Sequence, residues 1–210
     1  YRVITFDFEG CRCYYIRIVE RGHNMQKALE GIRILDFARY AAGPVGPLVL
    51  ADMGAEVIRV EKPGGEDDRL LPPFAKDGMG LLFMNCSRHK KCITLNLWKD
   101  ESQEIIDSLV AKSDIVVHNF PRGTKHWERL KYEHLKEVNP GIVEVAVSGF
   151  GQTGPYAERP GFDSVGQAMS GMVSITGFKN NPPTRAQVAW VDVLTAAYCA
   201  LGAMIALHHR

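Results

Sequence analysis

Between Ile32 and Glu61 the chain passes through a strand, a helix and a second strand in about thirty residues. Ile32-Arg33-Ile34-Leu35-Asp36-Phe37 reads as the first strand, followed by a Gly43/Pro44 turn. An apolar helix through Leu48, Leu50 and Met53 comes next, and Gly54 stops it. Glu56-Val57-Ile58-Arg59-Val60-Glu61 is the second strand, closed by Pro63-Gly64-Gly65. Two strands joined through a helix lie parallel, which removes hairpin-built sheets from consideration.

The alternation continues. Cys92–Leu97 reads as a strand, Glu101–Lys112 as an amphipathic helix and Asp114–Asn119 as a strand. Trp127–Val138 then reads as a helix and Ile142–Val147 as a further strand. The fold class is α/β, an open parallel sheet with flanking helices. Ligands of such sheets bind beyond the carboxyl ends of the strands. Here those ends are 36–44, 61–69, 119–123 and 148–155.

Composition narrows the function classes. Of 210 residues, 46% are hydrophobic and 23% charged, an ordinary globular balance. Lys plus Arg is 25 against 24 for Asp plus Glu, a net charge of +1, which gives no support to a nucleic-acid or membrane-surface role. Five scattered cysteines do not make a disulfide framework and fit a cytoplasmic setting. Residues 1–24, rich in Tyr, Arg and Cys, differ in texture from the rest of the chain. They contain no signal-peptide core and read as an extra segment ahead of Met25.

From Val188 to Leu207 the only charge is Asp192, and the length suits a spanning helix. Ala, Gly, Cys and Thr dominate the stretch, so a buried or interface helix is the stronger expectation and no membrane role is assigned. The chain stops directly after it, as a truncated protein would. The expected division is therefore 1–24, a large domain over 25–187, and a long helix over 188–210 leading toward a missing small domain.

Several chemistries fail on spacing. Ala42-Gly43-Pro44-Val45-Gly46-Pro47 lacks the Gly-x-Gly-x-x-Gly pattern, and its prolines remove donors that would cradle a pyrophosphate. Cys86, His89 and Cys92 are a weak metal signal, so no metal site is assigned. Ser148 and Ser170 lie outside any nucleophile elbow. Asp163, in Pro160-Gly161-Phe162-Asp163, opens the apolar run Val165–Ile175 and reads first as a helix N-cap. A cap site keeps a carboxylate ionised, which is also what a carboxylate nucleophile needs.

Together these motifs resemble the family III CoA-transferases, the CaiB/BaiF group that includes formyl-CoA transferase and carnitine CoA-transferase. The resemblance runs from about Leu29 to Arg210. It rests on Gly31–Phe37 with Ala42-Gly43-Pro44, on Leu50–Glu61, and on Asp67-Asp68-Arg69. It continues through His118-Asn119-Phe120, Asn139-Pro140, Ser148–Tyr156 and Arg159–Asp163. The fold it implies is the Rossmann-like N-terminal part of that family.

The resemblance also implies a mechanism. Asp163 matches the aspartate that attacks an acyl-CoA thioester, passing through mixed anhydrides and an aspartyl-CoA thioester. Gly149, Gly151 and Gly154 are candidate backbone donors to developing oxyanions. Tyr40, Ala41 and Ala42 match backbone contacts to CoA, and Lys62, Arg69 and Lys90 match basic contacts to its phosphates. Asn119 and Phe120 match the pantetheine and adenine path, with Ser148 beside it. The implied partners are an acyl-CoA and a small carboxylic acid, CoA being substrate rather than a tightly bound cofactor, and the full-length protein an interlocked homodimer.

Departures from the family pattern are specific. Asn119-Phe120-Pro121-Arg122-Gly123 inverts the usual Arg-Pro order, and Trp127 stands where a cation is common. A racemase of the same superfamily would need His before the aspartate, and Phe162 is there instead. An inactive CoA-binding fragment is the remaining alternative.

Overall fold

The computed structural model describes residues 2–8, 11–17 and 27–210. Strands β1 (Arg2–Phe8) and β2 (Cys11–Arg17) pair antiparallel, with Phe8 opposite Cys11. The boundary expected at Met25 falls outside the described residues.

The main sheet has five strands, β3 (Arg33–Asp36), β4 (Glu56–Glu61), β5 (Lys90–Thr94), β6 (Ile115–His118) and β7 (Val143–Ala146). Their order is β5-β4-β3-β6-β7 and every pairing is parallel. The open parallel α/β sheet read from the alternation is therefore the observed fold. Strand β6, Ile-Val-Val-His, is buried throughout, as a strand covered on both faces must be. Successive side chains sort to opposite faces. Ile34, Val57, Ile115 and Val117 join Leu50, Ala200 and Ala203 on one face. Leu35, Val60 and Val116 join Ile106, Val110, Leu130 and Leu135 on the other.

Helix α1 (Ala42–Asp52) begins earlier than the turn read at Gly43/Pro44. Pro44 falls in the first turn, where its missing N–H has no intrahelical acceptor to lose. A side chain at Gly43 would meet Ala38 Cβ at 2.4 Å, so this turn sits directly on the end of β3. Gly54 ends the helix with φ +111°, as its position suggested. Helix α2 (Leu81–Cys86) comes next, and β5 starts two residues before the expected Cys92 because its register is set by pairing with Val57–Glu61.

Helix α3 (Ser102–Val110) is as expected, but the helix read over Trp127–Val138 is two, α4 (Lys125–Arg129) and α5 (Tyr132–Val138). Lys131 is extended (φ −57°, ψ 136°) between them. Leu130 and Leu135 would stand about 140° apart on one straight helix. The break lets both reach the same core, where they are 1% and 0% exposed. The run Val165–Ile175 is likewise split into α6 (Asp163–Met169) and α7 (Met172–Ile175) by Gly171 at φ +81°.

Helix α8 (Trp190–His209) lays Ala196, Ala200 and Ala203 against the sheet face that carries α1. A side chain at Gly46 would lie 3.3 Å from both Ala196 O and Cys199 Cβ, so α1 and α8 approach backbone to backbone. Among the described residues α8 alone is long and apolar enough to cross a membrane. Only its small-residue face is buried, while Tyr198, Leu201 and Ile205 are exposed.

Candidate functional site

Strand β3 leads on one side to β4 and β5 and on the other to β6 and β7. The chain thus reverses direction across the sheet between β3 and β6, and the loops beyond these two strands diverge to leave a crevice. A groove of about 460 Å³ occupies that position. Its walls come from Arg39–Ala42 after β3, Asn119–Arg122 after β6 and Val147–Gly149 after β7. The loop Ala157–Phe162 and the first turns of α8, through Asp192 and Thr195, close the far side. A larger hollow of about 700 Å³ between β7 and α8 is lined mainly by apolar and small side chains and lies away from the strand ends.

The wall after β3 is held by side chains from elsewhere. Tyr40 takes a left-handed backbone (φ 68°), and its N–H donates to Asp68 Oδ2 at 3.0 Å. Asp68 in turn is fixed by the fully buried Arg59, whose Nη2 donates to both its oxygens at 2.9 and 2.7 Å. The Arg39 N–H donates to Asn119 Oδ1 at 3.0 Å, and Asn119 Nδ2 donates back to Arg39 O at 2.8 Å. That two-way amide prolongs the β3–β6 pairing by a side chain. The Tyr40 ring meets Phe162 edge-on at 6.0 Å across the groove.

After β7, Gly149 and Gly161 touch through their backbones. A Cβ on Gly149 would lie 2.7 Å from Gly161 Cα, so neither position has room for a side chain. Gly151 (φ +82°) and Gly154 (φ +94°) have open space around them and take no part in lining the groove.

Asp163 lies just behind the wall, between the groove-lining Phe162 and Val191. It is the first residue of α6, while Phe162 occupies the cap position without a side-chain cap bond. The N-cap read for Asp163 is thus displaced by one residue. Its carboxylate, 9% exposed, accepts the Val191 N–H at Oδ1 (2.9 Å) and Gln167 Nε2 at Oδ2 (2.6 Å). Gln167 is itself fully buried, donating also to Ala186 O and Val188 O and accepting from the Ala186 N–H. Asp192 lines the groove near this pair, and burial together with the Asp163 charge pushes its carboxyl above the usual range.

The residues read from sequence divide into two groups. Tyr40, Ala41, Ala42, Asn119, Phe120, Ser148 and Gly149 all line the groove. Lys62, Arg69 and Lys90 do not, and each is engaged by a carboxylate. Lys62 Nζ is 2.5 Å from Asp67, and Arg69 Nη2 is 2.5 Å from Glu61. The Lys90 ammonium is completely buried between Asp36 Oδ2 (2.7 Å) and Pro44 O (2.6 Å), where it ties β5 to the first turn of α1.

The cations that do line the groove are Arg39, Arg122 and Arg159. Sequence reasoning passed over Arg39 and Arg159, although Arg39 directly precedes the Tyr40 turn. The inverted Pro121-Arg122 order still leaves Arg122 on the wall, donating to Gln152 O at 2.5 Å. Among the described residues no three His, Cys, Asp or Glu side chains gather as a metal-holding group.

Comparison with known proteins matches this arrangement at the level of the whole described α/β unit. The family model for CoA-transferase family III matches residues 29–210. Succinyl-CoA--D-citramalate CoA-transferase of Chloroflexus aurantiacus is 43% identical over 185 residues, covering 88% of this chain and 46% of that protein. Human succinyl-CoA:glutarate CoA-transferase is 40% identical over 185 residues, covering 87% of this chain and 42% of its own. A CAIB/BAIF family protein from Brucella suis superposes with a TM-score of 0.82 at 36% identity, over 89% of this chain and 50% of that one. The chain spans about half the length of the curated relatives it matches.

Proposed function

The chain belongs to CoA-transferase family III, and on that premise we propose that the protein moves CoA from an acyl-CoA to an acceptor carboxylate, with Asp163 as the nucleophile. The observation that carries this reading is the Asp163 carboxylate, held by the Val191 N–H and Gln167 immediately behind the switch-point groove. The two donors hold both oxygens of a mostly buried carboxylate in place, and a carboxylate shielded from water is a competent nucleophile.

An Asp163 oxygen attacks the thioester carbonyl, forming a mixed anhydride and expelling CoA thiolate. The thiolate then attacks the aspartyl carbonyl, giving an aspartyl-CoA thioester and freeing the donor's carboxylate. The acceptor carboxylate attacks that thioester, forming a second mixed anhydride and expelling the thiolate again. Attack of the thiolate on the acceptor's acyl carbon makes the new acyl-CoA and restores Asp163. No step needs a redox partner, and each intermediate survives only where water is kept out. Backbone N–H groups near Gly149 are the local candidates for stabilising the tetrahedral oxyanions, with Gly151 on the loop that follows.

The named relatives act with succinyl-CoA and citramalate or glutarate. Dicarboxylates are therefore the proposed substrate class. Residues 25–187 are read as the CoA-binding large domain, with 188–210 leading into the remainder of a longer, homodimeric cytoplasmic enzyme. A racemase reading is disfavoured because Phe162, next to Asp163, has no proton to move.

The test is mass spectrometry of the protein after incubation with succinyl-CoA, with hydroxylamine or borohydride to trap the acyl-enzyme. An adduct on Asp163 that is absent from D163A supports the mechanism. CoA binding without any adduct would reduce Asp163 to a structural role.

A further inference from the structure

Three basic residues expected to meet the phosphates of CoA stand outside the groove lining, each paired with a carboxylate. Arg39 lines the groove and has no carboxylate in hydrogen-bond reach among the described residues. Its nearest acid is Glu66, with Nη1 to Oε2 at 4.0 Å, and that Glu66 oxygen is itself without a partner. Arg39 Nε is buried and equally unpartnered. By contrast Lys62, Arg69, Lys90 and Arg59 each sit within 3 Å of an acidic oxygen.

The side chain is nonetheless positioned. Its backbone is clamped by Asn119, and its guanidinium carbon stands 5.3 Å from the centre of the Phe120 ring. Stacking over a ring orients the planar fork while leaving its edge donors available. A buried guanidinium donor without an acceptor is costly, and an oxyanion relieves it with charge-assisted, often bidentate bonds.

We infer that Arg39 is an oxyanion-binding residue of this groove, taking either a phosphate of CoA or the second carboxylate of a dicarboxylate. The inference rests on the reading of the groove as an acyl-CoA and carboxylate site. It adds a cation that discriminates among substrates by their charge.

Calorimetric titration with two matched pairs tests it. CoA and pantetheine differ in the phosphates together with the adenosine that carries them, whereas succinate and butyrate differ in one carboxylate. R39M keeps an apolar stem on Phe120 and removes the fork. It should weaken the charged member of at least one pair tenfold or more and leave the partner within about twofold. R39K should fall between wild type and R39M, and it carries the test if R39M does not fold. Loss confined to CoA identifies the phosphate source, and loss confined to succinate identifies the carboxylate source.

Equal weakening of all four ligands, or of none, would overturn the assignment, as would a wild-type protein that binds none of them. Charge discrimination by Arg39 without an Asp163 adduct would instead retain this site and refute the transfer chemistry.

Discussion

The carboxylate of Asp163 caps a helix other than its own. It begins α6, yet its Oδ1 accepts the N–H of Val191, the second residue of α8, 28 positions along the chain. One side chain therefore serves both the docking of α8 and the proposed nucleophile. D163N keeps an acceptor for the Val191 N–H but turns an amide N–H toward Gln167 Nε2, so it should lose some stability and still fold while forming no acyl adduct. D163A should lose the adduct and about 1 kcal/mol as well. Urea unfolding of the two variants, beside the trapping experiment, separates the roles.

Gln167 offers a second handle on the same carboxylate. Its amide satisfies Asp163 Oδ2, two carbonyls and the Ala186 N–H from a fully buried position. Q167L would strand those groups in the interior, at a cost of about 3 kcal/mol. A denaturation midpoint unchanged from wild type would contradict the network.

Asp192 makes stability depend on pH in a defined direction. Burial, then the charge of Asp163, raise its carboxyl above the ordinary value. The folded state therefore holds this proton more tightly than the unfolded chain does. Its contribution is present at acid pH and is lost as pH rises through the raised folded value. D192N should accordingly be more stable than wild type at neutral pH, with the gap closing toward pH 4. Thermal melts at the two pH values check this, and a gap that widens toward acid would refute it.

Lys90 should behave as a structural residue. K90M leaves the fully buried Asp36 carboxylate without its ammonium partner, and removes a donor from Pro44 O. The expected loss is about 3–5 kcal/mol. Chemical denaturation reads the loss, and calorimetry on the folded variant should find CoA affinity close to wild type. A selective loss of CoA affinity at unchanged stability would return Lys90 to the ligand.

The β3–α1–β4 unit was readable because its contacts are local and its apolar periods change cleanly between strand and helix. The break at Lys131 was not, since Trp127, Leu130, Leu135 and Val138 resemble one helical stripe until the core's position is known. The groove's uncharged lining, Tyr40 to Ala42 and Asn119-Phe120, followed from strand ends and from the family motifs. Its charges did not. Whether a lysine is available depends on acids that arrive through folding, as Asp36 reaches Lys90 across 54 positions. Arg39 differs from those cations by what fails to arrive beside it.

The two-way amide between Asn119 and the backbone of Arg39 has an entropic consequence. Ordering a backbone residue costs about 1–2 kcal/mol. Here that cost is met during folding, at the residue before Tyr40 as well as, through Asp68, at Tyr40 itself. A ligand entering the groove finds this wall already immobile, so more of its contact energy remains as affinity.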